Sequence, residues 1–369
     1  MSIGELQETG GMSRFIFQYR PLDFVCREAT IPASMQEKIL KIGSIQLNNP
    51  FLQAALSGYT EYAMRILAKR FGCPLTLTGV MLDRISLHPK AIKQTKFHCF
   101  EDEHPVGAQI FGHDPETIAQ SAVQFRKMGF DLIDLNFACP VPKVLRRERG
   151  GWLMRKPDII RDAFRRTRDA VDCPVMMKLR SGFDHSDAAK DDFWQIIDNA
   201  AADGVDALGI HGRTVEQKYK GKADWAVIAE VKKKYPKLTI LGSGDLMDAP
   251  TVLQRIRETG VEGVLIARGA IGNPWIFSDC VALWEGKPLP FPPTLQEQAK
   301  IILEQYDMVD AERPGRRGVS FYRKFLAQYA HRHPKRKTVL LDFMRVKEPQ
   351  KLKQLVNDHY LQFGKEWPN

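Results

Sequence analysis

Eight short apolar stretches recur along the chain, and their spacing constrains its fold more than any other feature. Their first residues lie 24, 31, 26, 43, 32, 31 and 25 positions apart. Each interval fits a loop, a helix of about ten to fifteen residues and a second loop, which together make a βα unit. The stretches are FLQAALSG (51–58), LTLTG (75–79), VGAQIFG (106–112), LIDLNFACP (132–140), VMMKLRSG (175–182), ALGIHGR (207–213), LTILGSG (238–244) and GVLIARG (263–269).

Eight consecutive βα units predict an α/β fold, a closed (β/α)₈ TIM barrel. The alternative is a doubly wound open sheet, which usually has fewer strands. From about residue 292 the pattern is helical only, as in PPTLQEQAKIILEQYDMV. We therefore predict an N-terminal extension (1–42), a catalytic barrel domain (43–291) and a smaller all-helical C-terminal domain (292–369).

Composition narrows the function classes. Lysine and arginine number 54 against 44 aspartates and glutamates, which favours a polyanionic partner. A run of about 18 apolar residues, as a membrane span needs, is missing, and MSIGELQETGGMSRFIFQYR lacks the apolar core of a secretory signal. The six cysteines are scattered without a CxxC pair, which argues against zinc and disulfides and for a reducing compartment. We expect a monomeric, cytoplasmic protein that binds neither a membrane nor a metal.

Polar side chains fall at the predicted carboxyl ends of four strands, where the βα loops of a barrel carry its chemistry. Taken singly, each has an ordinary structural explanation, since a lone cysteine is usually a small buried hydrophobe. Lys178 fits such an explanation least, because its charge follows three apolar residues inside a buried strand and needs an anionic partner there. The polar residues are Gln109, Asn136, Cys139, Lys178, Arg180, His211 and Arg213.

The last two strands end in features of an anion site. LGSGDL places Gly-Ser-Gly after the seventh strand, and LIARGAIGNPW places Arg268 and Gly269 after the eighth. Glycines let backbone N–H groups approach an anion, and arginine pairs with phosphate through two parallel hydrogen bonds. With Lys178 and Gln109 across the barrel mouth, the set suits flavin mononucleotide (FMN). A sugar phosphate site and a pair of tight turns are the alternatives.

Five motifs, in order, resemble those of the tRNA-dihydrouridine synthases. They are NFACP with the Gly-Gly of RERGG, MKLRSG, IHGRTVEQKYKGKADW, GSGDL and ARGAIGNPWIF. The resemblance covers about residues 43–345. It implies reduction of particular uridines in folded RNA to 5,6-dihydrouridine, with FMN as cofactor and NADPH as electron donor. It further implies a hydride from flavin N5 to uracil C6 and a proton from Cys139 to C5.

Position by position, the resemblance also implies which residues bind the uracil and the FMN. Uracil contacts are expected from Asn136, Lys178, Arg180 and His211. FMN contacts are expected from Ala55, Leu56, Ser57, Gln109, Lys178, His211, Ser243, Gly244, Asp245, Ala267 and Arg268. The first strand reads AALSGYTE where the family has APMAGVTD, and Ala138 replaces the usual glycine before the cysteine. These departures leave the target uridine open, with tRNA expected and ribosomal RNA as the alternative.

Two basic segments are expected to bind phosphates of that RNA. Four cations flank Cys139 in PKVLRRERGG, although a solvated helix face is an alternative explanation for them. Residues 313–337 carry nine lysines and arginines without an acidic residue, and their aromatics at 321, 325 and 329 are expected to form a buried stripe. The expected RNA contacts are Lys143, Arg146, Arg147, Arg316, Arg317, Arg323, Lys324, Lys335 and Arg336.

Two other functions share part of this pattern. A flavin-dependent dehydrogenase of the dihydroorotate or dihydropyrimidine type would need the barrel and the flavin site but not the basic helical region. A non-catalytic RNA-binding protein would not need Asn136, Cys139, Lys178 and His211 together. Cys139 itself suits an acid, because a free thiol with a pKa of about 8.5 is mostly protonated at neutral pH.

Overall fold

The computed structural model describes residues 39–93 and 99–362, so the predicted extension is described only from residue 39 and the predicted helical domain only to residue 362. The strands alternate with helices as the spacing of the apolar stretches predicts. The strands are β1 (Leu40–Ile42), β2 (Ile45–Leu47), β3 (Phe51–Gln53), β4 (Thr76–Leu77), β5 (Met81–Leu82), β6 (Val106–Phe111), β7 (Leu132–Asn136), β8 (Val175–Arg180), β9 (Ala207–His211), β10 (Ile240–Ser243) and β11 (Gly263–Ile266).

Eight of these strands close into a parallel barrel. In the order of their pairing they are β3, β4, β6, β7, β8, β9, β10 and β11. The ring closes because β11 pairs with β3, β3 pairs with β4 and β4 pairs with β6. Among the described residues, short β5 pairs only with the end of β6. The prediction of a TIM barrel is confirmed, and the open doubly wound sheet is excluded.

Helices surround the barrel and continue beyond it. Several start at a polar cap: Asp114, Ser186 and Asp248 each accept a hydrogen bond from the main-chain N–H three residues on. The helices are α1 (Tyr62–Arg70), α2 (Asp83–Ser86), α3 (Pro115–Lys127), α4 (Pro142–Leu145), α5 (Pro157–Ala170), α6 (Asp187–Ala202), α7 (Ala226–Lys234), α8 (Ala249–Thr259), α9 (Trp275–Trp284), α10 (Leu295–Glu312), α11 (Arg316–Ala330), α12 (Arg336–Arg345) and α13 (Pro349–Val356).

The antiparallel hairpin of β1 and β2 covers the amino-terminal end of the barrel. Its buried leucine and isoleucine side chains form one apolar cluster with residues near the first positions of the barrel strands, among them Leu132, Met176 and Leu241. The hydroxyl of Thr239, just before β10, donates a hydrogen bond to the Lys41 carbonyl at 3.0 Å. Because this end is closed, the carboxyl ends of the strands are the end at which a ligand can enter.

The C-terminal helices pack on one another and against α1 of the barrel. Phe325 and Tyr329 are buried, as the helical spacing of the aromatic residues predicts, and Phe321 is partly buried. Tyr329 donates a hydrogen bond to Gln305 of α10 at 2.8 Å. Over the two described ranges, each helix is too short or too polar to cross a lipid bilayer.

Candidate active site

A cavity of about 290 Å³ lies at the carboxyl end of the barrel. Every residue predicted to act in catalysis, to hold the uracil or to bind FMN lines it. They meet there because the carboxyl ends of all parallel strands lie at the same end of a barrel. Lys178 is in β8, His211 is the last residue of β9, and Cys139 and Arg268 lie just beyond β7 and β11. Other wall residues include Tyr59, Val80, Tyr219, Leu246 and Met247.

The loop that carries Cys139 is tied at both ends. The main-chain N–H groups of Ala138 and Cys139 donate to Asn136 Oδ1, at 2.9 and 3.0 Å. The Gly151 N–H donates to the Cys139 carbonyl at 3.0 Å. At Gly150, where φ is +56°, a Cβ atom would lie 2.9 Å from the Cys139 Cβ. The Gly-Gly pair of RERGG therefore lets the chain fold back onto the cysteine loop.

Burial sets the protonation state of the thiol. It raises the pKa of Cys139 above the ordinary value, and a hydrogen bond from the Val141 main chain and the charge of Arg180 only partly oppose this. A thiol with a raised pKa is protonated at neutral pH, which suits an acid and not a nucleophile.

Two amide side chains and a carboxyl group form a hydrogen-bonded row under this loop. Asn136 Nδ2 donates to Gln109 Oε1 at 2.5 Å, and Gln109 Nε2 donates to Asp134 Oδ2 at 2.6 Å. All three side chains are buried. Gln109 therefore lines the cavity with both ends of its amide already in contact with protein.

Lys178 is the least satisfied cation of the cavity. It is 8% exposed, and its one hydrogen bond within the described ranges goes to the Leu179 carbonyl at 3.4 Å. Burial and the charge of Arg180 lower its pKa to about 7, while Asp134 opposes the shift. The ion pairs of the described residues give Lys178 no carboxylate partner within 4.0 Å, so its ammonium group is available to an electron-rich ligand.

Arg180 ties together the loops on either side of it. It is 2% exposed. Its Nε donates to the Ala138 carbonyl, and its Nη1 donates to the carbonyls of Thr214 and Lys218, each at 2.8 Å. The guanidinium thus adds positive charge to the cavity while its donors hold the loops that follow β7 and β9.

His211 is an uncharged member of the cavity wall. Burial, together with the nearby charges of Lys178 and Arg180, lowers its pKa far below the ordinary histidine value. Its Nε2 lies 3.3 Å from Arg213 Nη1. A neutral imidazole beside a guanidinium donor can accept one hydrogen bond and offer another.

Asp245 holds two arginines at the side of the cavity that the sequence predicts to bind an anion. Arg213 and Arg268 both donate to its carboxylate, at 2.6 and 3.0 Å. Burial alone would raise the pKa of Asp245, but these two arginines hold it below the ordinary value. At Gly244, where φ is +124°, a Cβ atom would lie 2.5 Å from the Cβ of Ala223, so only glycine fits. The described ranges hold no group of three or more His, Cys, Asp and Glu side chains that could bind a metal ion.

The predicted RNA contacts lie in two places. Lys143, Arg146 and Arg147 are exposed on and after α4, close in sequence to Val141 of the cavity wall. The others belong to α11 and to the start of α12, at Arg316, Arg317, Arg323, Lys324, Lys335 and Arg336. Some of them are engaged within the protein: Arg316 pairs with Glu348, and Arg323 donates to the Met344 carbonyl at 3.1 Å.

Lys324 faces the barrel and is half-buried. Its ammonium group donates to the Gly58 carbonyl and lies 3.4 Å from the ring centre of Phe321 and 4.8 Å from that of Tyr59. Burial lowers its pKa to about 8. Because Ser57 and Tyr59 line the cavity, this contact joins α11 to the cavity wall.

The sequence indicated two residues of the site not at all, and a third, Arg213 of the HGRT motif, only as a polar residue at a strand end. Tyr219 stands in the QKYKG segment, where its ring lies 5.1 Å from Arg268 and 5.7 Å from Arg180. Asp134 stands two residues before Asn136 on the same strand, and alternation along the strand was the one signal that could have placed it in the barrel interior.

Comparison with known proteins decides the family. The family model described as dihydrouridine synthase (Dus) matches residues 52–364, which include the barrel from the second residue of β3 onward and the described C-terminal helices. The chain belongs to the dihydrouridine synthase family. The resemblance of its motifs is thereby confirmed, and the cavity around Cys139 is the candidate active site of a dihydrouridine synthase family member.

Curated relatives from distant bacteria are similar over most of their length. A probable tRNA-dihydrouridine synthase of Mycobacterium tuberculosis is 35% identical over 312 residues, 80% of this chain and 78% of the relative. One of Rickettsia prowazekii is 31% identical over 326 residues, 88% of this chain and 98% of the relative. One of Aquifex aeolicus is 34% identical over 260 residues, 69% of this chain and 78% of the relative.

Solved structures resemble the chain in fold alone. A 2-naphthoyl-CoA reductase complex aligns with a TM-score of 0.54 at 13% identity, over 69% of this chain and 53% of that one. Histamine dehydrogenase from Rhizobium aligns with a TM-score of 0.53 at 13% identity, over 74% of this chain and 51% of that one. The chain therefore spans about half of each of these proteins.

Proposed function

We propose that this protein reduces specific uridines of folded RNA to 5,6-dihydrouridine, with FMN as cofactor and NADPH as electron donor. The observation that carries the proposal is the position of Cys139, whose protonated thiol lines one cavity with Lys178, His211 and Arg268 in a dihydrouridine synthase family member. The relatives named as tRNA enzymes favour tRNA over ribosomal RNA as the substrate.

The residues that line the cavity support FMN as the cofactor. Buried Lys178, with one weak hydrogen bond of its own, would hold an electron-rich edge of the flavin ring. Arg268 and the main-chain N–H groups at the start of the turn Arg268–Ala270 would hold the phosphate. The Ala270 N–H is not among them, because it donates to the Ala267 carbonyl. When bound, FMN supplies C6 of the uracil with a hydride that originates from NADPH.

Cys139 would supply the proton for C5. Its raised pKa keeps the thiol protonated at neutral pH, and its tied loop holds the sulfur at the cavity wall. Transfer of that proton, with the hydride at C6, completes the addition of two hydrogens across the 5,6 double bond. The thiolate then regains a proton from solvent, so the cysteine is unchanged after each turnover.

The other polar residues would hold the uracil and balance its charge. Hydride addition at C6 increases negative charge on the uracil oxygen O4, and preorganised cations in a buried site stabilise such charge. Lys178 and Arg180 supply the positive charge. Asn136 and neutral His211 would supply hydrogen bonds, since both line the cavity. Asn136 Nδ2 uses one of its two N–H groups on Gln109, and a neutral imidazole has one donor and one acceptor.

The RNA would approach across the rim of the cavity. A base inside folded RNA has to leave its stack to reach a buried site, at a cost of a few kcal/mol. Contacts of the phosphates with the cations of α4 and of the C-terminal helices would offset this cost. The contact of Lys324 with the Gly58 carbonyl places α11 beside the cavity wall, which suits such a role for that helix.

The test is a comparison of substrates. Purified protein supplemented with FMN and NADPH is incubated with transcribed tRNA, with ribosomal RNA fragments and with free uracil or dihydroorotate, and dihydrouridine is measured by mass spectrometry of nucleosides. We expect dihydrouridine in tRNA alone. Turnover of a free pyrimidine compound at a rate equal to or above that of RNA would contradict the proposal and favour a small-molecule dehydrogenase.

A further inference from the structure

Asp134 is a buried carboxyl group for which the proposed reaction has no use. It is fully buried in β7, and its Oδ1 has no hydrogen-bond partner within the ranges that the structure describes. Side chains two apart on a strand share a face, so Asp134 and Asn136 both point into the barrel. Gln109 is the register partner of Asp134 on β6. Burial of a carboxyl group costs free energy unless hydrogen bonds compensate for the lost water, so the contacts of Asp134 should indicate what it does in the barrel.

The contacts of Asp134 have a direction. Gln109 Nε2 donates to Asp134 Oδ2 at 2.6 Å, which sets the NH₂ of Gln109 toward Asp134 and its oxygen toward Asn136. Burial raises the pKa of Asp134 to about 7, and the carboxyl group offers an oxygen that can accept this bond in either protonation state. That oxygen accepts from Asn136 Nδ2 at 2.5 Å, which sets the Asn136 oxygen toward the cysteine loop. There it accepts from the N–H groups of Ala138 and Cys139. If the Gln109 amide were rotated by 180°, its NH₂ would face Asn136 Nδ2, a second donor. If the Asn136 amide were rotated as a result, its NH₂ would face the N–H groups of Ala138 and Cys139.

We propose that Asp134 is a positioning residue for the reaction: through Gln109 and Asn136 it orients the main chain at Ala138 and Cys139, and thereby the thiol. The expected effect on catalysis rests on the proposed function. The row of hydrogen bonds from Asp134 through Gln109 and Asn136 to the cysteine loop, here called the relay, is a feature of the fold and does not depend on it. Asp134 does not touch the thiol and acts only through the two amides.

The test compares Asp134→Leu, which removes the acceptor, with Asp134→Asn, which retains an oxygen that can accept from Gln109. Asp83→Asn is the matched control, because Asp83 is also buried in the barrel domain but lies outside the cavity. For each FMN-loaded protein, amide hydrogen exchange of the segment 137–141, NADPH-dependent bleaching of the flavin and dihydrouridine formation are measured.

In Asp134→Leu we expect the amides of Ala138 and Cys139 to exchange at least about tenfold faster. Dihydrouridine formation should fall about 100-fold, since a small misplacement of a reacting group has effects of that order. Flavin bleaching should change by much less than dihydrouridine formation does, because reduction of the flavin does not use the thiol. A small change is expected, since Gln109 is a predicted FMN contact and the charge of Asp134 raises the pKa of Lys178. Asp134→Asn and Asp83→Asn should resemble the wild type in all three measurements.

Two results would overturn the inference. One is unchanged exchange and turnover in Asp134→Leu. The other is an Asp134→Asn protein as impaired as Asp134→Leu, which would assign the effect to the lost charge. If circular dichroism shows that Asp134→Leu does not fold, Gln109→Leu breaks the next link from β6 and should release the same two amides. A wild type that forms no dihydrouridine would end the proposed function, while the exchange data would still decide on the relay.

Discussion

The barrel mouth and the C-terminal helices are both rich in cations, but they use them in opposite ways. At the mouth, Arg180 and Arg213 are each 2% exposed, and their N–H groups bind main-chain carbonyls and the carboxylate of Asp245. On the helices, Arg317 and Arg336 lie exposed. Positive charge at the mouth therefore shapes a buried site, whereas positive charge on the helices faces solvent, where a polyanion can reach it.

The comparison teaches that a count of charges does not say which of them are available. Residues 313–337 contain no acidic residue, yet Arg313 pairs with Glu61 and Arg316 pairs with Glu348, both from outside the stretch. Lys324 turns inward and binds the Gly58 carbonyl. Partners distant in sequence thus engage part of a segment that reads as purely basic.

The largest effect is expected from removing Cys139, the proposed acid at the barrel mouth. Cys139→Ala should lower dihydrouridine formation in RNA by about 100-fold or more, because the proton donor is lost. Bound flavin and its bleaching by NADPH should stay near wild-type levels, because neither needs the thiol. Cys99→Ala is the control, since Cys99 is partly exposed and lies outside the cavity. Wild-type dihydrouridine yield in Cys139→Ala, measured by mass spectrometry, would remove the cysteine from the mechanism.

The second prediction concerns the replacement of Lys178, the buried lysine at the barrel mouth, by methionine. The folded-state pKa of Lys178, about 7, lies below its ordinary value of 10.5, so between these pH values the unfolded chain binds more protons than the folded one. The free energy of unfolding of the flavin-free wild type should therefore rise with pH across this window relative to Lys178→Met. Urea unfolding of both proteins at several pH values from 7 to 10 measures the difference.

At pH 7 the methionine variant should be the more stable of the two, because it buries no charge. The difference in the free energy of unfolding between the two proteins should become smaller as the pH rises. A stability difference that does not change with pH would mean that Lys178 is not held in an unfavourable charged state. Flavin affinity of the variant should fall, which equilibrium dialysis against FMN would show.

The smallest effects separate two cations of α11, Lys324 and the exposed Arg317. Lys324→Met should lower the free energy of unfolding by about 1–2 kcal/mol, because the Gly58 carbonyl loses its donor. Arg317→Met should change it by less than about 0.5 kcal/mol, as is usual for a surface substitution. Arg317→Met should instead weaken RNA binding and reduce its salt dependence by about one counterion. Thermal unfolding and binding titrations at several salt concentrations test the pair, and equal stability losses would contradict the assigned orientations.

Much of the barrel could be predicted because its signals are local. Each apolar stretch ends at a glycine or polar residue, and the intervals between stretches have the length of one helix with its loops. The site followed from the same pattern, since Gln109, Asn136, Lys178 and His211 stand on parallel strands whose carboxyl ends converge. The hairpin that covers the opposite end was not predicted, because its two short strands, unlike the equally short β3 and β4, stand outside the repeated spacing of the βα units.

The order of the strands, the family motifs and the set of groups around the cavity were determined by the sequence alone, because alternation, spacing and residue type are properties of the linear chain. Which of those groups are already engaged was decided only by the tertiary structure. The contacts of Gln109 with Asp134, of Arg180 with three carbonyls and of Lys324 with Gly58 join residues 25, 34 to 42 and 266 positions apart. Hydrogen bonds depend on distance and direction in space, and neither quantity is encoded in the spacing of residues along the chain.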